Sequence, residues 1–125
     1  MVSVTGSIDR LDPEPDGAWT ITDYKSNRGV DPVRYRLQLS LYALALERAL
    51  GRRVAGCNVY FVQHPERKGL AAIDPLPPAD VEARVLEVAE RIRQRDFAIR
   101  EHPGKATCWS CPFGGRRGFC PERVS

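Results

Sequence analysis

The distribution of apolar and polar residues along the chain is typical of a mixed α/β protein. It begins with two extended segments, over about residues 2–11 and about residues 18–24. The segment between them, Pro13 to Gly17, reads Pro-Glu-Pro-Asp-Gly, and these residue types favour turns. The sequence therefore predicts a β-hairpin at the start of the chain.

A helical pattern follows from about Pro32 to Leu50, and Gly51 supplies a C-terminal stop. The apolar residues of this helix do not form a single stripe. We therefore expect the helix to be covered on both sides. One side carries Leu37, Leu41 and Leu44, and another carries Leu39, Ala43, Leu46 and Leu50.

The remaining apolar pattern predicts two strands and a second helix. Residues 57–62 form one strand, and residues 69–73 form a shorter one that we expect to pair with it. Over about residues 79–100 apolar residues recur at helical spacing, which predicts a surface helix with one buried face. From His102 onward no apolar period remains, so cross-links or a metal would be needed to order the tail.

Composition and charge are those of a small globular protein. The chain has 125 residues, of which 42% are apolar and 28% are charged, and both fractions are ordinary. No apolar run approaches the roughly 18 residues of a membrane span, and a signal-peptide pattern is not seen, so we expect a cytoplasmic protein without a membrane partner. The net charge of +3 permits an anionic partner without identifying one.

Acidic and basic residues lie on the two predicted strands of the hairpin. Asp23 and Lys25 are two positions apart, so their side chains point to one face while Tyr24 points to the other. If the hairpin forms, Asp9 joins them at one edge of the sheet. Two carboxylates can hold a hard divalent cation against a phosphate, and a lysine can assist the attacking water or the developing charge. The arrangement favours a nuclease.

Three of the four cysteines lie in the tail, as Cys108, Cys111 and Cys120. In a cytosolic protein this density of thiols favours metal ligation over disulfides, and the pair three positions apart can bind one metal or cluster. The fourth, Cys57, opens an apolar strand and is more typical of a buried small hydrophobe. His102 with the three tail cysteines would instead make a structural zinc site.

Three motifs, taken with this tail, form a specific combination. They are Gly6-Ser7-Ile8-Asp9-Arg10, Asp23-Tyr24-Lys25 and Gln38-Leu39-Ser40-Leu41-Tyr42. In order and spacing they resemble the first acidic motif, the D/E-x-K motif and the Q-x3-Y motif of RecB-type nucleases of the PD-(D/E)xK superfamily. The resemblance covers nearly the whole chain and points to the iron–sulfur branch, which includes the AddB subunit.

The resemblance implies a restriction-endonuclease-like α/β core, a mixed central sheet flanked by helices, over residues 1–101. A Cys-rich metal-binding or cluster-binding tail would occupy residues 102–125. Family members carry a helix before the first strand, which holds a further motif and the cluster's first cysteine. We therefore expect the chain to be a C-terminal fragment of a longer nuclease, which would leave one side of the helix over residues 32–50 without its cover.

The resemblance also implies a role for each matched position. Asp9 and Asp23 would bind one or two Mg²⁺ or Mn²⁺ ions, the backbone carbonyl of Tyr24 would add a ligand, and Lys25 would orient or activate water. A [4Fe–4S] cluster would be held by the tail cysteines, with a fourth cysteine ligand missing. Its candidate ligands are Cys108, Cys111 and Cys120.

Other matched positions would contact the substrate. Gln38 and Tyr42, on one helical face, would stand at the rim of the site and touch the DNA or Lys25. Arg116 and Arg117, in a Gly-rich loop between cysteines, are candidate phosphate contacts. Arg36 is another, although it is also typical of an exposed residue at a helix start.

The sequence thus predicts a metal-dependent deoxyribonuclease, expected to be an exonuclease that works with a helicase in DNA repair and recombination. The alternative is an inactive nucleic-acid-binding remnant with a structural zinc site. Under that alternative Asp9, Arg10 and Asp12 would form a solvated turn with a weak ion pair, and Asp23 and Lys25 an ordinary same-face pair.

Overall fold

A computed structural model describes residues 1–27, 31–63, 69–98, 108, 111–113 and 120. The chain divides into two compact units, Met1–Ala89 and Glu90–Ser125, and each is described by itself. The boundary that the sequence predicts between residues 101 and 102 stays a prediction. In the described ranges no helix is both long enough and apolar enough to cross a membrane.

The first unit is built on a four-stranded mixed sheet. Its strands are β1 (Arg10–Pro13), β2 (Trp19–Lys25), β3 (Val54–Phe61) and β4 (Leu70–Ile73), and they lie in that order across the sheet. The outer pairs β1–β2 and β3–β4 are antiparallel, whereas the central pair β2–β3 is parallel. Parallel neighbours need a crossover connection, and the helix between them provides it.

That helix, α1 (Arg36–Leu50), follows a 3₁₀ turn over Pro32–Tyr35. The side chain of Asp31 accepts a hydrogen bond from the Val33 amide at 3.0 Å, which caps the turn. At the other end Gly51 has a left-handed φ of 61° and its amide bonds to the Glu47 carbonyl, which is how glycine commonly ends a helix. The predicted helix over residues 32–50 is therefore confirmed.

The core lies between α1 and one face of the sheet. Its fully buried residues include Ile21 on β2, Leu39 on α1 and Val59 on β3, and Cys57 belongs to the same cluster. The expectation that α1 is covered on both sides is wrong for the part of the chain that is described. On its second side one leucine is exposed and two are only half-buried: Leu37, Leu41 and Leu44.

Two elements are shorter in the structure than the sequence predicts. The first strand begins at Arg10 rather than near residue 2, because the Asp9 carboxylate takes the Tyr24 amide hydrogen at 2.9 Å and so occupies the donor that a longer β1 would use. The second helix, α2 (Pro78–Arg93), ends before residue 100 because Arg95 adopts a φ of 56°. Its amide and that of Asp96 bond back to the last turn, which makes a Schellman-type end.

Candidate active site

An acid–base pair lies on β2, on the face that α1 covers. Asp23 is 3% exposed, and its Oδ2 lies 2.6 Å from Nζ of Lys25. The two residues alternate with Tyr24, which is 41% exposed on the other face. A carboxylate buried to this degree is costly unless a cation compensates its charge, and Lys25 is one such cation.

The Asp23 carboxylate is paired with a charge but is not fully hydrogen-bonded. Oδ2 is buried and accepts no hydrogen bond from any described residue, so its short contact with Lys25 is an ion pair without hydrogen-bond geometry. Buried polar atoms usually find a partner. A carboxylate oxygen near the C-terminal end of β2 is the kind of hard donor that Mg²⁺ or Mn²⁺ prefers.

Asp9 is the second acidic residue near this point. It is exposed, and its Oδ2 accepts the hydrogen bond from the Tyr24 amide, so its carboxylate is held against the β2 main chain just beyond Asp23. Among the described residues no group of three or more His, Cys, Asp or Glu side chains could hold a metal. A cation bound here by Asp9 and Asp23 would therefore need main-chain, water or phosphate oxygens as well.

Lys25 is connected to α1 through Gln38. Nζ of Lys25 donates to Oε1 of Gln38 at 3.1 Å, and Nε2 of Gln38 donates to the Tyr42 hydroxyl at 2.9 Å. The structure thus joins Asp23, Lys25, Gln38 and Tyr42 in one continuous chain of polar contacts. Because Gln38 both accepts and donates, it fixes the lysine relative to the helix.

The N-terminal segment packs against the far end of this chain. A Cβ atom at Gly6 would lie 3.0 Å from Cε1 of Tyr42, a distance tighter than ordinary van der Waals contact. Ile8 packs against the core. The glycine of the first motif and the tyrosine of the third motif therefore meet in space, which the sequence motifs did not predict.

Sequence reasoning also missed two residues around Lys25. Nζ of Lys25 lies 4.7 Å from the centroid of the Tyr35 ring, and Nδ2 of Asn27 donates to the Tyr35 hydroxyl at 3.0 Å. The available signal was the position of Tyr35, three residues before Gln38, since residues at i and i+3 lie on one side of a helical segment.

Other predicted site residues lie apart from these contacts. Nε of Arg36 donates to the carbonyl oxygen of Asp74 at 2.6 Å, so that guanidinium is partly engaged within the protein. Arg116, Arg117 and His102 fall outside the described residues.

The cysteines fall into two environments. Cys57 is buried in the core of the first unit, and burial, assisted by Glu47, raises the pKa of its thiol to about 11. In the second unit Cys108 is buried, Cys111 and Cys120 are half-buried, and all are free thiols. The Cys120 amide bonds to the Phe113 carbonyl at 2.8 Å. Across the residues that the structure describes, no group of three or more His, Cys, Asp or Glu side chains that could hold a metal includes the tail cysteines.

The opposite face of the sheet carries a different acidic residue. Asp12 on β1 accepts two hydrogen bonds from the Arg10 guanidinium, at 2.8 Å and 3.0 Å. Both residues line an open groove of about 480 Å³ with Tyr24 and Tyr60. Asp12 is therefore already paired and lies on the face away from Asp23.

Comparison with protein families gives a match over residues 1–120, to the PD-(D/E)XK nuclease superfamily. The chain belongs to this superfamily, and its mixed four-stranded sheet with two helices is the restriction-endonuclease-like α/β fold that the sequence predicted. Membership indicates a metal-dependent nuclease, with DNA as substrate and Mg²⁺ or Mn²⁺ as the typical ion. No curated protein and no solved structure gives a significant match.

Proposed function

We propose that this protein is a Mg²⁺- or Mn²⁺-dependent deoxyribonuclease whose active site is formed by Asp9, Asp23 and Lys25. The observation that carries the proposal is the buried Asp23 carboxylate, whose Oδ2 lies 2.6 Å from Nζ of Lys25 while that ammonium donates to Gln38. An ordinary surface ion pair lacks this burial and lacks a further side chain that holds the cation.

The two carboxylates would hold the cation, together with the backbone carbonyl of Tyr24. When bound, the ion supplies Lewis acidity to the scissile phosphate and lowers the pKa of a water. Asp23 contributes a hard oxygen donor at a fixed place, because its side chain is buried on a central strand. Asp9 contributes a second donor, held in position by the Tyr24 amide.

Lys25 would act on the reacting groups themselves. Its ammonium can orient the attacking water and donate to a phosphate oxygen as negative charge develops there. In the reaction a water oxygen bonds to phosphorus, the phosphodiester P–O bond breaks, and the leaving oxygen ends as an alcohol. The hydrogen bond to Gln38 restricts where the Lys25 ammonium can lie.

Cleavage of labelled linear single- and double-stranded DNA, with Mg²⁺ or Mn²⁺, tests this proposal. Asp23→Asn and Lys25→Ala should each slow cleavage on the order of 100-fold or more, which is the usual effect of losing a charged catalytic group. Asp12→Asn is the matched control, because it removes an equivalent charge on the opposite face. Equal rates for the wild type and both site variants would refute the proposal.

The narrower role rests on motif resemblance to RecB-type and AddB-like nucleases. On that basis we propose an exonuclease that works with a helicase in DNA repair and recombination. Arg36, Arg116 and Arg117 are proposed as phosphate contacts because of their charge and their positions in the sequence. Comparing linear with covalently closed circular DNA tests the exonuclease assignment, because a true exonuclease leaves the circle intact. Cutting of the closed circle would contradict it.

The same resemblance supports a metal centre in the tail. We propose that Cys108, Cys111 and Cys120 bind an iron–sulfur cluster with a further ligand, and zinc with His102 is the alternative occupant. Anaerobic purification followed by metal analysis separates them, since a cluster is brown with broad visible absorbance and zinc is colourless. A metal-free tail would contradict both assignments.

A further inference from the structure

The ammonium of Lys25 has an aromatic neighbour in addition to its polar ones. Nζ lies 4.7 Å from the centroid of the Tyr35 ring, inside the roughly 6 Å over which a ring face attracts a cation. The lysine side chain is only 20% exposed, so water screens this attraction less than at an open surface. The ring therefore restrains where the ammonium sits.

The Tyr35 ring is itself held in place. Its hydroxyl accepts a hydrogen bond from Nδ2 of Asn27 at 3.0 Å, and its ring lies 6.4 Å from the Phe61 ring at a tilt of 55°. Tyr35 ends the 3₁₀ turn immediately before α1. One end of the helical segment thus presents both Tyr35 and Gln38 to Lys25.

We propose that Tyr35 is a positioning residue that holds Lys25 for phosphodiester cleavage through its ring face. A second carboxylate would occupy the N–H groups of the lysine, whereas a ring attracts the ammonium without accepting a full hydrogen bond. The N–H groups that do not bond to Gln38 then remain available for water and phosphate oxygens. The catalytic consequence rests on the proposed nuclease function, but the Lys25–Tyr35 contact does not.

Proton NMR tests the contact without requiring any activity. Protons over a ring face shift upfield, so the terminal methylene of Lys25 should show an upfield shift in the wild type and in Tyr35→Phe. The shift should disappear in Tyr35→Leu. The Lys25 methylene signals are assigned by their loss in Lys25→Arg. An unshifted Lys25 methylene in the folded wild type would overturn the inference.

Single-turnover cleavage tests the catalytic consequence. Tyr35→Leu should lower the maximal rate about tenfold with little change in the DNA concentration for half-maximal rate, and Tyr35→Phe should stay within about threefold of the wild type. Tyr60→Leu, which changes a tyrosine on the opposite sheet face, is the control. A loss with Tyr35→Phe as large as that with Tyr35→Leu would overturn the role of the ring.

A double-mutant comparison separates positioning from a merely structural role. In a Lys25→Ala background, Tyr35→Leu should have no further effect on the residual cleavage rate. The same tenfold loss in both backgrounds would overturn the inference, because Tyr35 would then act independently of Lys25. If neither the wild type nor any variant cleaves DNA while the NMR shift is present, the nuclease proposal fails and the Lys25–Tyr35 contact stands.

Discussion

The carboxylate of Asp9 accepts the amide hydrogen of Tyr24 at 2.9 Å. This bond replaces the main-chain pairing that β1 would make if it continued two residue pairs beyond Arg10 and Thr22, to Ile8 and Tyr24. The residue that stops β1 from extending toward the N-terminus is therefore also an acidic residue bonded to the main chain next to Asp23. Strand length and the placement of a candidate metal ligand have one common cause.

Two substitutions at Asp9 should separate its charge from its hydrogen bond. Asp9→Asn keeps an oxygen acceptor for the Tyr24 amide but loses the charge, so we expect near-normal stability and weakened Mn²⁺ binding. Asp9→Ala loses both, and should also lower the free energy of unfolding by about 1 kcal/mol. Calorimetric Mn²⁺ titration and denaturant unfolding measure the two effects. Unchanged Mn²⁺ affinity in both variants would contradict a ligand role.

A side chain at Gly6 should disturb the site through Tyr42. Because a Cβ there would lie 3.0 Å from Cε1 of Tyr42, Gly6→Ala should cause a small loss of cleavage rate and Gly6→Val a larger one. Gly56→Ala is the matched control, since a Cβ at that position meets nothing within 4 Å. If Gly6→Val cleaves DNA as fast as Gly56→Ala, the close approach has no functional consequence.

Gln38 should matter more than its partner Tyr42. Gln38→Leu removes the acceptor of Lys25 and should lower the cleavage rate about tenfold or more, since a preorganised donor loses its anchor. Tyr42→Phe removes only the hydroxyl that accepts from Gln38, so its effect should be a few-fold. The rates of both variants at saturating metal give the comparison. Equal losses would show that the two residues act as one unit.

Cys57 should be unreactive in the folded protein. Burial raises the pKa of its thiol from 9.0 to about 11, and the thiolate is the reactive form. The folded state therefore holds the thiol proton more tightly than the unfolded state, so the free energy of unfolding should fall as pH rises from about 9 to about 11. Cys57→Ala should lack this part of the pH dependence.

Peptide mapping after alkylation at neutral pH provides a second check on Cys57. We expect this cysteine to be modified only when denaturant is added. Rapid modification in the native protein would contradict its place in the core.

Much of the fold follows from local sequence signals. The turn at Pro13 to Gly17 predicts the hairpin, and Gly51 predicts the end of α1, because these residue types act within a few positions of themselves. The start of β1 and the end of α2, which differ from the predicted bounds, depend on other causes. β1 begins late because the side chain of Asp9 competes with the main chain for the Tyr24 amide. α2 ends at Arg93, two residues before a left-handed Arg95, a conformation for which arginine gives no sequence signal.

The candidate site likewise has some relations that local sequence spacing predicts and others that it does not. The same-face relation of Asp23 and Lys25 follows from strand alternation alone, and the pairing of Gln38 with Tyr42 follows from helical spacing. The contacts of Tyr35 with Lys25 and of Gly6 with Tyr42 join segments that only tertiary packing brings together. The spacing of Tyr35 and Gln38 places these two on one side of the helical segment, but it does not indicate which strand residue they meet.

The dependence of the DNA cleavage rate on Mg²⁺ or Mn²⁺ concentration tests the central claim most directly. For the wild type the single-turnover rate should rise with metal to a plateau and vanish with a chelator. Asp23→Asn should show a plateau on the order of 100-fold lower, and Asp12→Asn should follow the wild-type curve. Cleavage that persists in the chelator, or that is unchanged in Asp23→Asn, would contradict the assignment of a metal-dependent site at Asp23.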